Sequence, residues 1–149
     1  MLQKIIVLAD DDSDDTEMFV EAVGIADENV LCHTAVNGEE LLKTISALDR
    51  LPEIIFLDMN MPIMNGLHCL KALKADVRYA AVPVVMFSTS SYTKEVDLCL
   101  ESGALGYLVK PADFNVLVTA LKEVINNPGE SLKDALHALK SSGCILFMR

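Results

Sequence analysis

The chain contains no tryptophan, and aromatic residues make up only 5% of its 149 residues. Because the hydrophobic fraction is nonetheless 52%, its core must be aliphatic, built from Val, Ile, Leu, Ala and Met. The length suffices for one domain with a sizeable interior. Cysteine is scarce: Cys32, Cys69, Cys99 and Cys144 form neither a C-x-x-C pair nor a zinc-ligand pattern. Each sits in an apolar stretch and reads as a reduced, buried thiol. Basic residues are few, 12 against 22 acidic ones, for a net charge of −10. Such a chain repels nucleic-acid phosphates, and no Lys/Arg cluster overrides the total, so no nucleic-acid partner is expected. Phosphate-cradling loops of the G-x-G-x-x-G or G-x-x-x-x-G-K-[ST] kind are absent after the first apolar run, which argues against a nucleotide site. No apolar run approaches the ~20 residues that span a membrane. Met1 to Leu8 is interrupted too soon by acid to read as a signal peptide. No membrane partner and a cytoplasmic location are the resulting expectations.

What is present is a regular alternation. Short apolar runs stand at Ile5–Ala9, Ile54–Leu57, Val82–Phe87 and Leu105–Val109, with a weaker one over Asn29–Val36. Continuous runs bounded by polar residues suggest strands buried on both faces, as in a parallel sheet. Helical stripes lie between them: Phe19, Ala22, Val23 and Ala26; then Leu41, Leu42 and Ile45; Leu67, Leu70 and Leu73; Val96, Cys99 and Leu100; and Phe114, Leu117, Leu121 and Val124. Five βα units argue for a doubly wound α/β domain with right-handed crossovers. Asn126-Asn127-Pro128-Gly129 closes that domain, giving residues 1–127, and leaves 128–149 as a C-terminal tail. In the tail, Leu132, Ala135, Leu136 and Leu139 suit a short amphipathic helix, and Cys144 to Met148 form a last apolar segment. Three fates for it stay open: packing on its own domain, exchange with a second chain, or disorder.

Ligands of open parallel sheets bind outside the carboxyl ends of the strands. The first run ends in Asp10-Asp11-Asp12, the third in Asp58-Met59-Asn60, the fourth in Ser88-Thr89 and the fifth in Lys110-Pro111. Adjacent strands would gather three carboxylates, a hydroxyl and an ammonium into one site. Clustered carboxylates repel one another unless a cation sits among them, and Mg²⁺, with Mn²⁺ as a substitute, prefers such hard oxygen ligands. One carboxylate could then attack a phosphoryl donor, with Ser88 and Lys110 contacting phosphoryl oxygens. Asp12, Asp14 and Asp15 read more simply as a solvated and capped helix start. His33, His68 and His137 read as structural or surface residues.

These residues resemble the receiver domain of two-component response regulators. The stretches that carry the resemblance are Ile6 to Asp11, Asn37 to Glu40, Ile55 to Gly66, Pro83 to Ser88 and Gly106 to Pro111, within Lys4 to Asn127. The resemblance implies a flavodoxin-like five-stranded sheet in the order 2-1-3-4-5. It implies Asp58 as phosphoacceptor and as metal ligand, with Asp11 through its side chain, Asn60 through its backbone carbonyl and Asp10 through a bound water. Ser88 would be the hydroxyl switch, Tyr107 the aromatic switch and Lys110 the site lysine. A cis Lys110-Pro111 bond is also implied. Departures are small: Ser88 replaces the commoner Thr, Thr89 stands where a small residue is usual, and Ala112 where many members carry Phe.

The expected donor is a phosphohistidine on a sensor histidine kinase or a histidine phosphotransfer protein. Output is expected by protein–protein contact through the fourth helix, fifth strand and fifth helix, Thr93 to Val124. A homodimer through that face or through the tail is left open. Val116 and Val118 would belong either to a partner face or to a broad buried face. The chain is expected to be a signalling domain that catalyses only its own phosphorylation and dephosphorylation. A phosphorylation-independent interaction domain of the same fold is the alternative. An aspartyl phosphatase of the haloacid-dehalogenase type is disfavoured, because Asn60 stands where that chemistry needs a second acid.

Overall fold

Strand formation follows the apolar runs, and alternation along each run divides the core in two. A computed structural model of the chain describes residues 3–149. Strands β1 (Ile5–Ala9), β2 (Leu31–Ala35), β3 (Ile54–Leu57), β4 (Val84–Ser88) and β5 (Gly106–Val109) alternate with helices α1 (Ser13–Ala26), α2 (Gly38–Ser46), α3 (Gly66–Ala75), α4 (Thr93–Glu101) and α5 (Phe114–Asn126). All five strands pair in parallel, in the spatial order β2-β1-β3-β4-β5. Successive side chains point to opposite faces of a strand. Ile5, Val7, Ile55, Leu57, Val84 and Met86 therefore face α2, α3 and α4, packing on Leu41, Leu70, Leu73 and Cys99. Ile6, Leu8, Ile54, Phe56, Val85 and Phe87 face α1 and α5. There Phe19, Phe56 and Phe87 meet edge to face, with centroids 5.1, 5.4 and 6.1 Å apart. β2 is the weakest strand in the sequence and lies at a sheet edge, half-exposed.

Asparagine or aspartate starts α1, α2, α3 and α5. Asp12, Asn37, Asn65 and Asp113 each accept a backbone N–H of the first turn, so Asn37-Gly38 and Asn65-Gly66 act as caps as well as turns. These caps matter because α1 and α3 begin directly beside the strand ends that form the site.

Two expectations are corrected. The sheet has six strands rather than five, because the segment beyond Asn127 returns to it. After a 3-10 turn at Gly129–Ser131, helix α6 (Leu132–Leu139) packs against α5, burying Leu132, Ala135, Leu136 and Leu139. Strand β6 (Leu146–Phe147) then pairs antiparallel with β5, Tyr107 opposite Phe147 and Leu108 opposite Leu146. Periodicity reveals the helix but not the pairing, because a two-residue strand has too few positions to show alternation. The second correction is the Lys110-Pro111 peptide, which is trans like every other described peptide bond. Just before it, the backbone N–H of Lys110 donates to the Ser88 carbonyl at 2.9 Å.

The β3–α3 connection carries the tightest geometry. A Cβ on Gly66 would lie 2.1 Å from the Asp58 carbonyl oxygen, a backbone atom that cannot step aside. Ile63 holds φ at 66°, left-handed backbone that a β-branched residue adopts only under strain, while its side chain is 79% exposed.

Three outcomes follow. Leu136→Ala, at a fully buried position, should lower unfolding free energy by about 2–5 kcal/mol in denaturant titration, whereas Lys133→Ala on the exposed side of α6 should change it by less than about 0.5 kcal/mol. Gly66→Ala should cost at least ~2 kcal/mol in the same assay. Ile63→Gly should raise stability by about 1 kcal/mol, since it relieves a left-handed residue and removes no buried contact.

Candidate functional site

The pairing of β1 with β3 places their C-terminal ends side by side. The Asp58 N–H donates to the Ala9 carbonyl and the Asp10 N–H to the Ala35 carbonyl, each at 2.9 Å, so both acids are fixed by ladder bonds. Asp10 and Asp58 are buried, 2% and 7% exposed, and Asp11 is exposed. One carboxylate oxygen from each of Asp10, Asp11 and Asp58 lies within 4.8 Å of the others. β4 and β5 add the remaining groups: Ser88, 1% exposed, ends β4, and Lys110 follows β5. Asp10, Asp11, Asp58, Ser88 and Lys110 thus meet at one end of the sheet. Asn60, two residues beyond Asp58, is exposed in the loop that follows.

Electrostatics of the cluster centre on Lys110, whose side chain is 9% exposed. Its Nζ lies 2.7 Å from Asp10 Oδ2, 2.8 Å from Asp15 Oδ2 and 3.5 Å from Asp58 Oδ2. It also stands 5.7 Å from the centre of the Phe87 ring. Burial by itself would push this ammonium down, but the hydrogen bonds to Asp10 and Asp15 outweigh it and hold the group above the ordinary lysine range. Asp10 is raised above the usual carboxylate range chiefly by burial, against the lowering pull of Lys110 and of the Asp12 N–H. Asp11 forms no ion pair among the described residues. One ammonium therefore faces more acids than it can neutralise. The donor set consists of hard oxygens, clustered and short of positive charge, which fits a divalent cation of the Mg²⁺ or Mn²⁺ class.

The Ser88 hydroxyl accepts from the Ser90 N–H at 3.4 Å. Tyr107 is fully buried, and its hydroxyl donates to the Ser90 carbonyl at 2.8 Å. The β4–α4 loop is thereby tied to β5, and burial pushes the Tyr107 phenol up. The Tyr107 and Phe147 rings lie edge to face, with centroids 6.4 Å apart. Val116 and Val118 pack partly buried against the α1/α5 core, which favours the broad buried face over a partner face.

Two neighbours of the site escape sequence reasoning. Asp15 reads as a solvated helix start, yet it binds Lys110, 95 positions away. Phe147 touches Tyr107 only because β6 returns to β5. Neither contact leaves a local signal. The cysteines take no part: burial pushes the Cys69 thiol up to about 12 and those of Cys32 and Cys99 to about 11.

Comparison with known proteins agrees with this geometry. Residues 6–122 match the response regulator receiver domain family. The transcriptional regulatory protein PrrA of Mycobacterium tuberculosis is 34% identical over 126 residues, covering 85% of this chain and 52% of that protein. The nitrate/nitrite response regulator protein NarL of Escherichia coli is 34% identical over 103 residues, covering 69% of this chain and 46% of that one. The chain spans about half the length of these curated relatives. Among solved structures, the phosphorylated cyanobacterial phytochrome response regulator RcpA superposes with a TM-score of 0.74 at 26% identity, over 80% of this chain and 89% of that one. The chemotaxis response regulator CheY4 of Vibrio cholerae gives 0.69 at 26% identity, over 80% and 97%. With its sheet order, its acid cluster and this match over most of its length, the chain belongs to the response regulator receiver domain family.

Proposed function

We propose that this receiver accepts a phosphoryl group on Asp58 and passes the signal on by protein contact. The observation that carries the reading is the placement of Asp58: nearly buried, 3.5 Å from the Lys110 ammonium and clustered with Asp10 and Asp11. Asp58 is the nucleophile. Its carboxylate oxygen forms a bond to phosphorus as the donor's N–P bond breaks, and the departing imidazole nitrogen keeps the electron pair and takes a proton from solvent. Lys110 and the Ser88 hydroxyl are the donors that meet the phosphoryl oxygens. Asp10, Asp11 and Asp58, with the Asn60 backbone carbonyl, would hold Mg²⁺, which when bound neutralises charge among the carboxylates and on the transferred group. Manganese would serve in its place; the response regulator Rcp1, alike in fold, is described in an Mn²⁺-bound form. Hydrolysis of the acyl phosphate, with water in place of the donor, returns Asp58 to its free form.

Receiver domains interact with histidine kinases and with downstream targets. For this chain the donor in the proposal is a phosphohistidine on such a kinase or on a phosphotransfer protein. The added charge and acceptor oxygens would draw Ser88 toward the phosphoryl group. The Ser90–Tyr107 hydrogen bond supports a route from that movement to α4 and β5. A partner or a second copy approaching this face meets Tyr92 and, on α4, Leu98, both exposed, and β6 rather than a bare β5 edge. Among the described residues no helix is long and apolar enough to cross a membrane; a cytoplasmic setting is part of the proposal.

Intact mass after incubation with acetyl phosphate and Mg²⁺ tests the reading. The parent should gain one phosphoryl group only when the metal is present, and Asp58→Asn should gain none. Absence of any gain, together with failure to bind beryllofluoride, would replace this reading with a phosphorylation-independent interaction domain.

A further inference from the structure

Acids in the first turn of a helix ordinarily face water and stabilise the helix dipole. Asp14 is such a residue: it is exposed and forms no ion pair among the described residues. Asp15 is different. Its backbone is fixed by the cap of α1, where Asp12 Oδ1 accepts the Asp15 N–H at 3.0 Å. Its side chain, 33% exposed, reaches Lys110 Nζ at 2.8 Å. The two short bonds of the ammonium thus go to Asp10 and Asp15, while Asp58 stands 0.7–0.8 Å farther away, the 3.5 Å separation less 2.8 and 2.7 Å. An ammonium has three N–H donors. Two are engaged by acids other than the phosphoacceptor, in an environment where charge-assisted bonds are strong.

We propose that Asp15 is a positioning residue that holds the Lys110 ammonium back from Asp58 and thereby lowers the rate and affinity with which Asp58 takes a phosphoryl group. This rests on the function proposed above. To reach phosphoryl oxygens on Asp58, Lys110 must loosen one of its short bonds. Asp10 belongs to the acid cluster itself, so the bond to Asp15 is the one that sets the resting position from outside it. Neutralising Asp15 frees the donor without changing any group of the cluster. A second effect has the same sign: Asp15 repels an incoming anionic donor at a distance. That part is shared by Asp14 and is screened by salt, whereas a contact ion pair at 2.8 Å is screened far less.

The experiment compares the parent with Asp15→Asn, Asp15→Glu and Asp14→Asn. The phosphorylation rate with acetyl phosphate and the affinity for beryllofluoride are measured at low and at high ionic strength. Asp15→Asn should be faster and tighter by about tenfold at both ionic strengths, the scale of one charge-assisted hydrogen bond. Asp15→Glu should stay near the parent. Asp14→Asn should show a smaller gain that salt removes. In the metal-free protein, a double-mutant cycle of Asp15→Asn with Lys110→Met, read by denaturant unfolding, should show coupling between the two sites. Asp15→Asn matching Asp14→Asn in a parent that does take up a phosphoryl group would overturn this inference alone, as would a slower Asp15→Asn or an absence of coupling. A parent that takes up no phosphoryl group would overturn the proposed function and this inference with it.

Discussion

The ammonium of Lys110 lies within 2.7–3.5 Å of three carboxylates, and without it the ends of β1 and β3 and the first turn of α1 would bring like charges together uncompensated. Burying a carboxylate is unfavourable unless a cation or hydrogen bonds compensate it. Asp10, at 2% exposure, has that compensation from Lys110 and from the Asp12 N–H. The compensation is incomplete by design of the geometry: Asp11 has no cationic partner among the described residues, and Asp58 has the longest of the three contacts. A site left short of positive charge attracts a divalent cation, and a lysine shared among several acids is able to shift toward added phosphoryl oxygens.

The rest of the fold keeps these ends in register. Parallel pairing aligns Ala9 with Leu57 and Ser88 with Val109, so the residues that follow each strand emerge at one level. The edge-to-face cluster of Phe19, Phe56 and Phe87 packs under one face of the sheet, and Phe87 also reaches Lys110. Gly66 lets α3 start against the Asp58 carbonyl, where a side chain would force the two apart. Rigid packing is what allows a charge change on one side chain to bias discrete arrangements rather than dissipate.

The segment after α5 extends this frame instead of trailing from it. α6 buries its apolar stripe against α5, and β6 completes the edge of the sheet beside Tyr107. Residues that would line an open β5 edge are therefore covered from within the chain, with Phe147 against the Tyr107 ring. An exposed strand edge invites unspecific pairing, and here the edge is occupied by a strand only two residues long, which offers little further template.

Apolar runs and helical stripes made the five βα units legible, because period and burial are local properties that neighbouring residues record. Asp10, Asp11, Asp58, Ser88 and Lys110 were legible as one cluster for a related reason: each follows an apolar strand directly, and parallel sheets gather strand ends. The stripe Leu132, Ala135, Leu136 and Leu139 likewise announced α6. Other features had no local trace. The antiparallel addition of β6, the contact of Phe147 with Tyr107 and the turn of Asp15 toward Lys110 all depend on segments far apart in the chain. Composition and spacing determine which faces must be buried and which groups can ionise. Only the folded backbone decides which acid reaches the one shared ammonium, since Asp14 and Asp15 are the same residue one position apart and differ only in the direction the helix turns them.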